Sequence, residues 1–191
     1  MKPDGENARG KLYRAVLELL GAGEDAGSIT TRQIAAKAGV NLALVNYYYQ
    51  SKENLLSEVV GKMMGDIIAP IFDNSSGEDA ESRLRNILTA TADAAFMHEN
   101  ICKIAIASEL KHGCRNSCAM VMPLLREIFP TIGQEHLDIT ALQLMLPFHH
   151  IILEPELYGR ILGTHFFNKQ KRDIKINEMM MGVIKGVVQH S

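Results

Sequence analysis

The densest chemistry in the chain lies in Leu42-Ala43-Leu44-Val45-Asn46-Tyr47-Tyr48-Tyr49-Gln50. Wound as a helix, this run puts Val45, Tyr48 and Tyr49 on one face and Leu42, Ala43, Asn46, Tyr47 and Gln50 on the other. An asparagine amide presents a donor beside an acceptor, the pattern that pairs with adenine in a major groove, and Ala or Leu fits the thymine methyl. Tyr and Thr hydroxyls, Lys ammonium groups and helix N-termini suit phosphates, which fix register without reading sequence. The competing reading is a tyrosine-rich helix wedged into a core, but an Asn beside three consecutive Tyr is poor core composition.

A second set of reactive types consists of His98 and Cys102, then Cys114 and Cys118, each pair four residues apart, with His112 between them. Residues at i and i+4 share a helix face, so each pair could chelate a soft metal or act as a thiol sensor through Cys102, Cys114 and Cys118. Lys111 and Arg115 stand near enough to lower a thiol pKa. Against this, Gly113 interrupts the helix and no Cys-x-x-Cys occurs, so small buried hydrophobes are the plainer reading. Enzymatic constellations are missing: there is no Gly-rich phosphate loop, no His-Glu-x-x-His and no nucleophile elbow. His149 and His150 are adjacent and point about 100° apart on a helix, so they cannot serve one small site together. Glu154 and Glu156 flank Pro155 near a helix end, where exposed carboxylates are ordinary.

The elements that must position the first set are legible. Ala8, Leu12, Ala15, Val16, Leu19 and Leu20 recur at helical spacing over residues 8–20, followed by a loop from Gly21 to Ser28. Thr30-Thr31-Arg32-Gln33 has the form of a capping box for a short helix through Ile34, Ala35 and Ala38, ended by Gly39. Asn41 caps the next helix, with Val40 and Val45 at the positions of a hydrophobic staple. Two short helices joined by a tight glycine turn describe a helix-turn-helix. Ser51 then starts a helix from Lys52 to about Ile71, with Leu55, Leu56, Val59, Met63 and Ile67 on one side. Strands are hard to find, and the expected class is all-α.

Residues Thr30 to Asn41, then Leu42 to Gln50, then Ser51-Lys52-Glu53-Asn54-Leu55-Leu56, with the helix before them, resemble the N-terminal signature of TetR-family transcriptional regulators. The resemblance covers roughly Ala8 to Leu56. It implies an all-α homodimer: a three-helix DNA-binding domain, here 1–51, and a helical ligand-binding and dimerisation domain, here 52–191. It implies double-stranded DNA, a palindromic operator, as partner, and most members are repressors released by a small-molecule effector. By position, Thr31, Arg32, Leu42, Ala43, Leu44, Asn46, Tyr47, Tyr48 and Lys52 match groove-facing or backbone-facing places. The chain departs from the commoner pattern at Leu42, Leu44 and Asn46, where Lys, Thr and Tyr are frequent, so polar readout rests on Asn46 and Tyr47. Periodicity also puts Leu44 and Tyr48 partly on the buried face. Loss of the expected Lys at position 42 keeps a rival open, a helical adaptor without specific DNA binding.

Beyond Ser51 the resemblance is architectural. Breaks at residues 74–77, 112–113, 130–133 and 167–172 separate helices expected near Glu78–His98, Ile101–Lys111, Ser117–Phe129, Gln134–Leu153, Pro155–Leu162 and Asp173–Gln189. The last two long helices usually pair with their copies. Here Ile139, Leu142, Leu146, His149 and Ile152–Leu153 form one stripe. Ile176, Met180, Val183, Ile184 and Val187 form the other, with Gly182 and Gly186 permitting close approach. A pocket for a small apolar ligand draws on an apolar wall with a few polar groups; the candidates are Met63, Ile67, Phe96, His98, Glu109, Met120, Met145, Phe148 and His149. Methionine adapts to irregular pockets and fills cores equally well.

Composition narrows the class. The 191 residues carry 20 Lys+Arg against 22 Asp+Glu, a net charge of −2, which excludes a globally basic nucleic-acid coat. Residues 1–52 hold seven basic and five acidic side chains, and the remainder thirteen and seventeen, so a mildly basic head precedes an acidic body. No run reaches the roughly 18 apolar residues of a membrane span. Three cysteines without an apolar leader lead us to expect reduced thiols in a cytoplasm. No metal or cofactor is expected beyond an unidentified effector.

Overall fold

The computed structural model describes residues 5–22, 24, 27–73 and 77–189. Among these are ten helices and no strand. They are α1 (Gly5–Gly21), α2 (Thr31–Ala38), α3 (Leu42–Tyr49), α4 (Lys52–Asp73), α5 (Ala80–Met97), α6 (Glu99–Lys111), α7 (Arg115–Ile128), α8 (Gln134–Leu153), α9 (Pro155–Leu162) and α10 (Lys169–Gln189). The all-α expectation holds, and α3, α8 and α9 have the expected bounds. The start of α10 comes a turn early, because Asn168 Oδ1 accepts from Lys171 N at 3.0 Å and caps residues read from sequence as a break. No described helix is long and apolar enough to cross a membrane.

The chain divides into two compact units, Met1–Met63 with Asn100–Ser108, and Met64–Glu99 with Glu109–Ser191. The division therefore falls inside α4 rather than at residue 52, because Leu55, Leu56, Val59 and Met63 of α4 are buried in the first unit. Its core also takes Leu12, Ala15, Val16 and Leu19 of α1, Ile29 of the loop, Ile34 and Ala35 of α2, and Val45 and Tyr49 of α3. Each fully buried Leu or Ile contributes about 1.5–3 kcal/mol.

Local chemistry sets the helix-turn-helix. Thr30 Oγ1 accepts from Gln33 N at 3.2 Å while Gln33 Oε1 accepts from Thr30 N at 2.8 Å, completing the capping box. At the other end of α2 the amides of Gly39 and Val40 donate to the carbonyls of Ala36 and Ala35. Gly39 sits at φ 63°, the left-handed backbone that glycine adopts without penalty. Asn41 Oδ1 accepts from Ala43 N at 2.9 Å to start α3, and Ser51 Oγ accepts from Asn54 N at 3.1 Å to start α4.

The second unit is built from α5, α7, α8, α9 and α10 around Leu84, Ile87, Leu124, Leu125, Ala141, Met145, Phe166 and Met180. Gly159 is dictated by packing: a Cβ there would stand 2.8 Å from the Thr164 carbonyl oxygen. Arg172, 5% exposed, pairs with Asp93 of α5 and donates to the Phe166 carbonyl at 2.9 Å. Lys169 reaches the same carboxylate at 2.6 Å. This charge cluster fastens the start of α10 to α5. Replacing Asp93 with Ala would leave a buried guanidinium without its counter-charge, an expected loss on the order of 3 kcal/mol in urea unfolding at constant m-value. A loss below about 1 kcal/mol would assign the pair the weight of a surface contact instead.

Candidate functional site

On α3 the two faces separate as amphipathicity requires. Val45 and Tyr49 are buried, whereas Ala43, Asn46 and Gln50 are exposed and Tyr47 is 78% exposed. Leu42, Leu44 and Tyr48 are half-buried, which explains why spacing alone put Leu44 and Tyr48 between the two faces. Thr31 is half-buried and Arg32 exposed at the first turn of α2. Gln50 ends α3 at φ 63°, and the Asn54 amide donates to the Tyr49 carbonyl at 3.0 Å, so the chain turns sharply into α4. Burial, with Glu58 nearby, raises the pKa of the Tyr49 phenol, so it stays protonated. Lys52 Nζ donates to the Gly27 carbonyl at 2.9 Å, tying the start of α4 to the loop after α1.

Three aromatic rings line up along α3. Tyr47 meets Tyr48 edge-on at 5.3 Å between centroids, and Tyr48 meets Tyr49 at 6.4 Å. From α1, the Arg9 guanidinium lies over Tyr48 at 5.3 Å and over Tyr49 at 6.0 Å. No spacing rule links Arg9 to residues some forty positions on, so this contact is not legible in the sequence.

The second unit contains a cleft of about 680 Å³ between α5, α8 and α10. Leu88, Ala92 and Phe96 line it from α5, Ile139, Gln143 and Phe148 from α8, and Met179, Val183 and Val187 from α10, with Arg172 at the wall. Gly182 and Gly186 border it, and a Cβ at either would meet nothing within 4 Å. Along α8, Ile139 (46%), Leu142 (36%) and Leu146 (39%) are exposed apolar side chains. His149 and Met180, expected in the same stripes, are buried within the unit (5% and 1% exposed) and face its own core.

Of the residues expected around a ligand, Phe96 and Phe148 line this cleft together. The others lie elsewhere. Met63 is buried in the first unit, His98 is exposed at the end of α5, and Met120 is half-buried on α7. Met145 is fully buried in the second unit's core, and the Ile67 side chain lies outside the described residues. Glu109 Oε2 accepts from the Asn116 and Ser117 amides at 3.1 Å each and so caps α7, an occupation that spacing could not foretell.

The cysteines do not form the low-pKa set that Lys111 and Arg115 could have created. Burial pushes Cys102 up to about 12 and Cys118 up to about 11, and raises Cys114 as well, with Glu109 adding to the rise at Cys114 and Cys118. No group of three or more candidate metal ligands exists among the described residues. Cys114, buried at φ 55°, places Sγ 3.5 Å from Nδ1 of His149. Burial lowers the His149 pKa to about 4, so the ring is neutral beside the protonated thiol.

These features define a class: an all-helical protein with a helix-turn-helix in one unit and a helical body in the other. Residues 22–59 match the model of the family described as bacterial regulatory proteins, tetR family. The HTH-type transcriptional dual regulator CecR of Shigella flexneri is 47% identical over 51 residues, 27% of this chain and 22% of that protein, so the likeness spans about a fifth of its length. The crystal structure of Thermus thermophilus FadR, described as a TetR-family transcriptional repressor in complex with lauroyl-CoA, superposes with a TM-score of 0.69 at 16% identity. That match covers 91% of this chain and 94% of that one. A putative regulator of Pseudomonas aeruginosa PAO1 matches with a TM-score of 0.57 at 18% identity over 99% of this chain and 96% of its own. A TetR-like regulator of Rhodococcus sp. RHA1 gives 0.56 at 13% over 95% and 96%. The likeness to the tetR family is therefore one of sequence over residues 22–59 and one of fold over nearly the whole chain.

Two expectations follow from the buried pairs. His149 has a depressed folded-state pKa, so its stabilising contribution is complete above about 6.5 and is lost as pH falls towards about 4, amounting to about 3 kcal/mol. Urea unfolding between those pH values should show this fall in the native chain and a flatter profile in His149→Asn; parallel profiles would refute it. Native-state alkylation at pH about 8 should be much slower than for a free thiol, since raised pKa values leave little thiolate. Alkylation at the free-thiol rate would contradict the burial.

Proposed function

We propose that the protein is a repressor of the TetR type, binding a palindromic operator as a homodimer and leaving it when a small, largely apolar effector binds. The observation that carries the DNA reading is the division of α3, with Asn46 and Tyr47 exposed above a buried Val45 and Tyr49. A reading helix needs one face pinned and the other free for a major groove. Asn46 reads a base, Ala43 and Leu42 approach thymine methyls, and Thr31, Arg32, Tyr47, Tyr48 and Lys52 hold phosphates. Lys52, held by Gly27, presents its charge from a fixed place.

The homodimer forms through α8 and α10. Exposed Ile139, Leu142 and Leu146, with the open cleft at Gly182 and Gly186, offer the apolar surface that a second copy's helices would cover. His149 and Met180 support that surface from beneath. The effector binds in the helical body; since α4 runs through both units, a ligand favouring one tilt of α4 shifts the DNA-competent population by its differential affinity. An acyl thioester is the first effector class to test, given the description of the Thermus thermophilus protein. The reading needs no cofactor beyond the effector, and places the protein in the cytoplasm with its DNA.

Asn46→Ala should cost about 1–3 kcal/mol at one base position of a selected operator and leave other positions alone. Lys52→Ala should weaken all duplexes about equally. Quantitative gel shifts over single-base operator variants check both; a preserved preference in Asn46→Ala, or a sequence-selective loss in Lys52→Ala, sinks the respective assignment. Leu142→Glu combined with Leu146→Glu should halve the sedimenting mass while helicity persists. A dimer of unchanged mass would refute this interface.

A further inference from the structure

We propose that Arg9 is a DNA-backbone contact held in place by the tyrosines of α3, so that α1 joins the DNA interface; this rests on the DNA-binding reading above. Arg9 is exposed, and its guanidinium lies over Tyr48 at 5.3 Å and near Tyr49 at 6.0 Å. Tyr48 in turn meets Tyr47, the exposed ring of α3, edge-on at an interplanar angle of 71°. One train of stacked groups therefore runs from α1 along α3 to the residue on the reading face.

The chemistry of the guanidinium gives this train a purpose. A planar guanidinium interacts with a ring through its face, while its five N–H donors point outward in its plane. That edge matches two oxygens of a phosphodiester in bidentate fashion. A long side chain free in solvent loses rotamer freedom when it grips a phosphate, and one already laid on two rings loses less. The same contact restrains Tyr48, whose half-buried ring carries a hydroxyl beside the reading face. The ligand is the sugar-phosphate backbone, so Arg9 adds affinity and register and no base preference.

The test uses the full chain and a labelled mixed-sequence duplex of about 24 base pairs, with affinity measured from about 50 to about 200 mM KCl. The slope of log affinity against log salt falls by about 0.9 for each phosphate the protein no longer neutralises. Arg9→Ala is expected to reduce the slope by that amount per bound subunit, and Arg9→Gln, which keeps the stem, carries the same expectation should Ala disturb folding. Lys11→Ala serves as the control, an exposed cation two residues on and about 200° around α1, and should leave the slope nearly unchanged. Where the native chain binds, an unchanged slope in Arg9→Gln, or an equal reduction in Lys11→Ala, overturns the proposal. A native chain that binds no duplex with salt dependence overturns the regulator reading, and the Arg9 role with it.

Discussion

Eight residues cannot hold an α-helix in water by themselves: nucleation is unfavourable, and isolated helices shorter than about 12–15 residues are marginal. The helix that presents Asn46 and Tyr47 has that length, so its form depends on being held from outside. Val45 and Tyr49 supply the hold from below by burial, and the Gly39 turn and Asn41 cap fix where the helix begins. The Asn54 amide and the Ser51 cap fix where it stops. Because burial claims one face, the polar face is left outward by geometry. The exposed polar face is the remainder of a packing problem.

The second unit is governed by a different constraint, a charge taken into the interior. Arg172 cannot sit 5% exposed without Asp93 and the Phe166 carbonyl, and its guanidinium also lies 4.7 Å from the Phe96 ring. That cluster ties α10 to α5 at one end of the cleft, while Gly182 and Gly186 leave the cleft open further along. Two glycines inside a helix cost about 0.5–1 kcal/mol each against alanine. Packing among the described residues does not require them, since a Cβ at either would meet nothing within 4 Å.

Burial also decides the fate of the thiols and of His149. Desolvation favours the neutral form of each group, so Cys102, Cys114 and Cys118 hold their protons and His149 stays uncharged. The pattern of His and Cys at i and i+4 was legible, but the pKa depends on dielectric surroundings that spacing does not encode. Nearby Lys111 and Arg115 did not decide the outcome; Glu109, engaged at the start of α7, pushed in the other direction.

Whatever depends on neighbours a few residues away is written in the chain locally. The capping box at Thr30 and Gln33, the left-handed Gly39, the Asn41 cap and the two faces of α3 all follow from local hydrogen bonding and a 3.6-residue period. Hence the helix-turn-helix and the all-helical class could be read directly, together with the bounds of α8 and α9. Whatever depends on residues distant in sequence emerges only when the helices pack. Arg172 meets Asp93 across 79 positions, Arg9 reaches Tyr48, and Glu109 caps α7 instead of facing a pocket. Packing also turned His149 and Met180 inward while leaving Leu142 and Leu146 on the surface. A helical period gives each residue an angle around its own axis, but only the packed neighbours determine which angles are already covered.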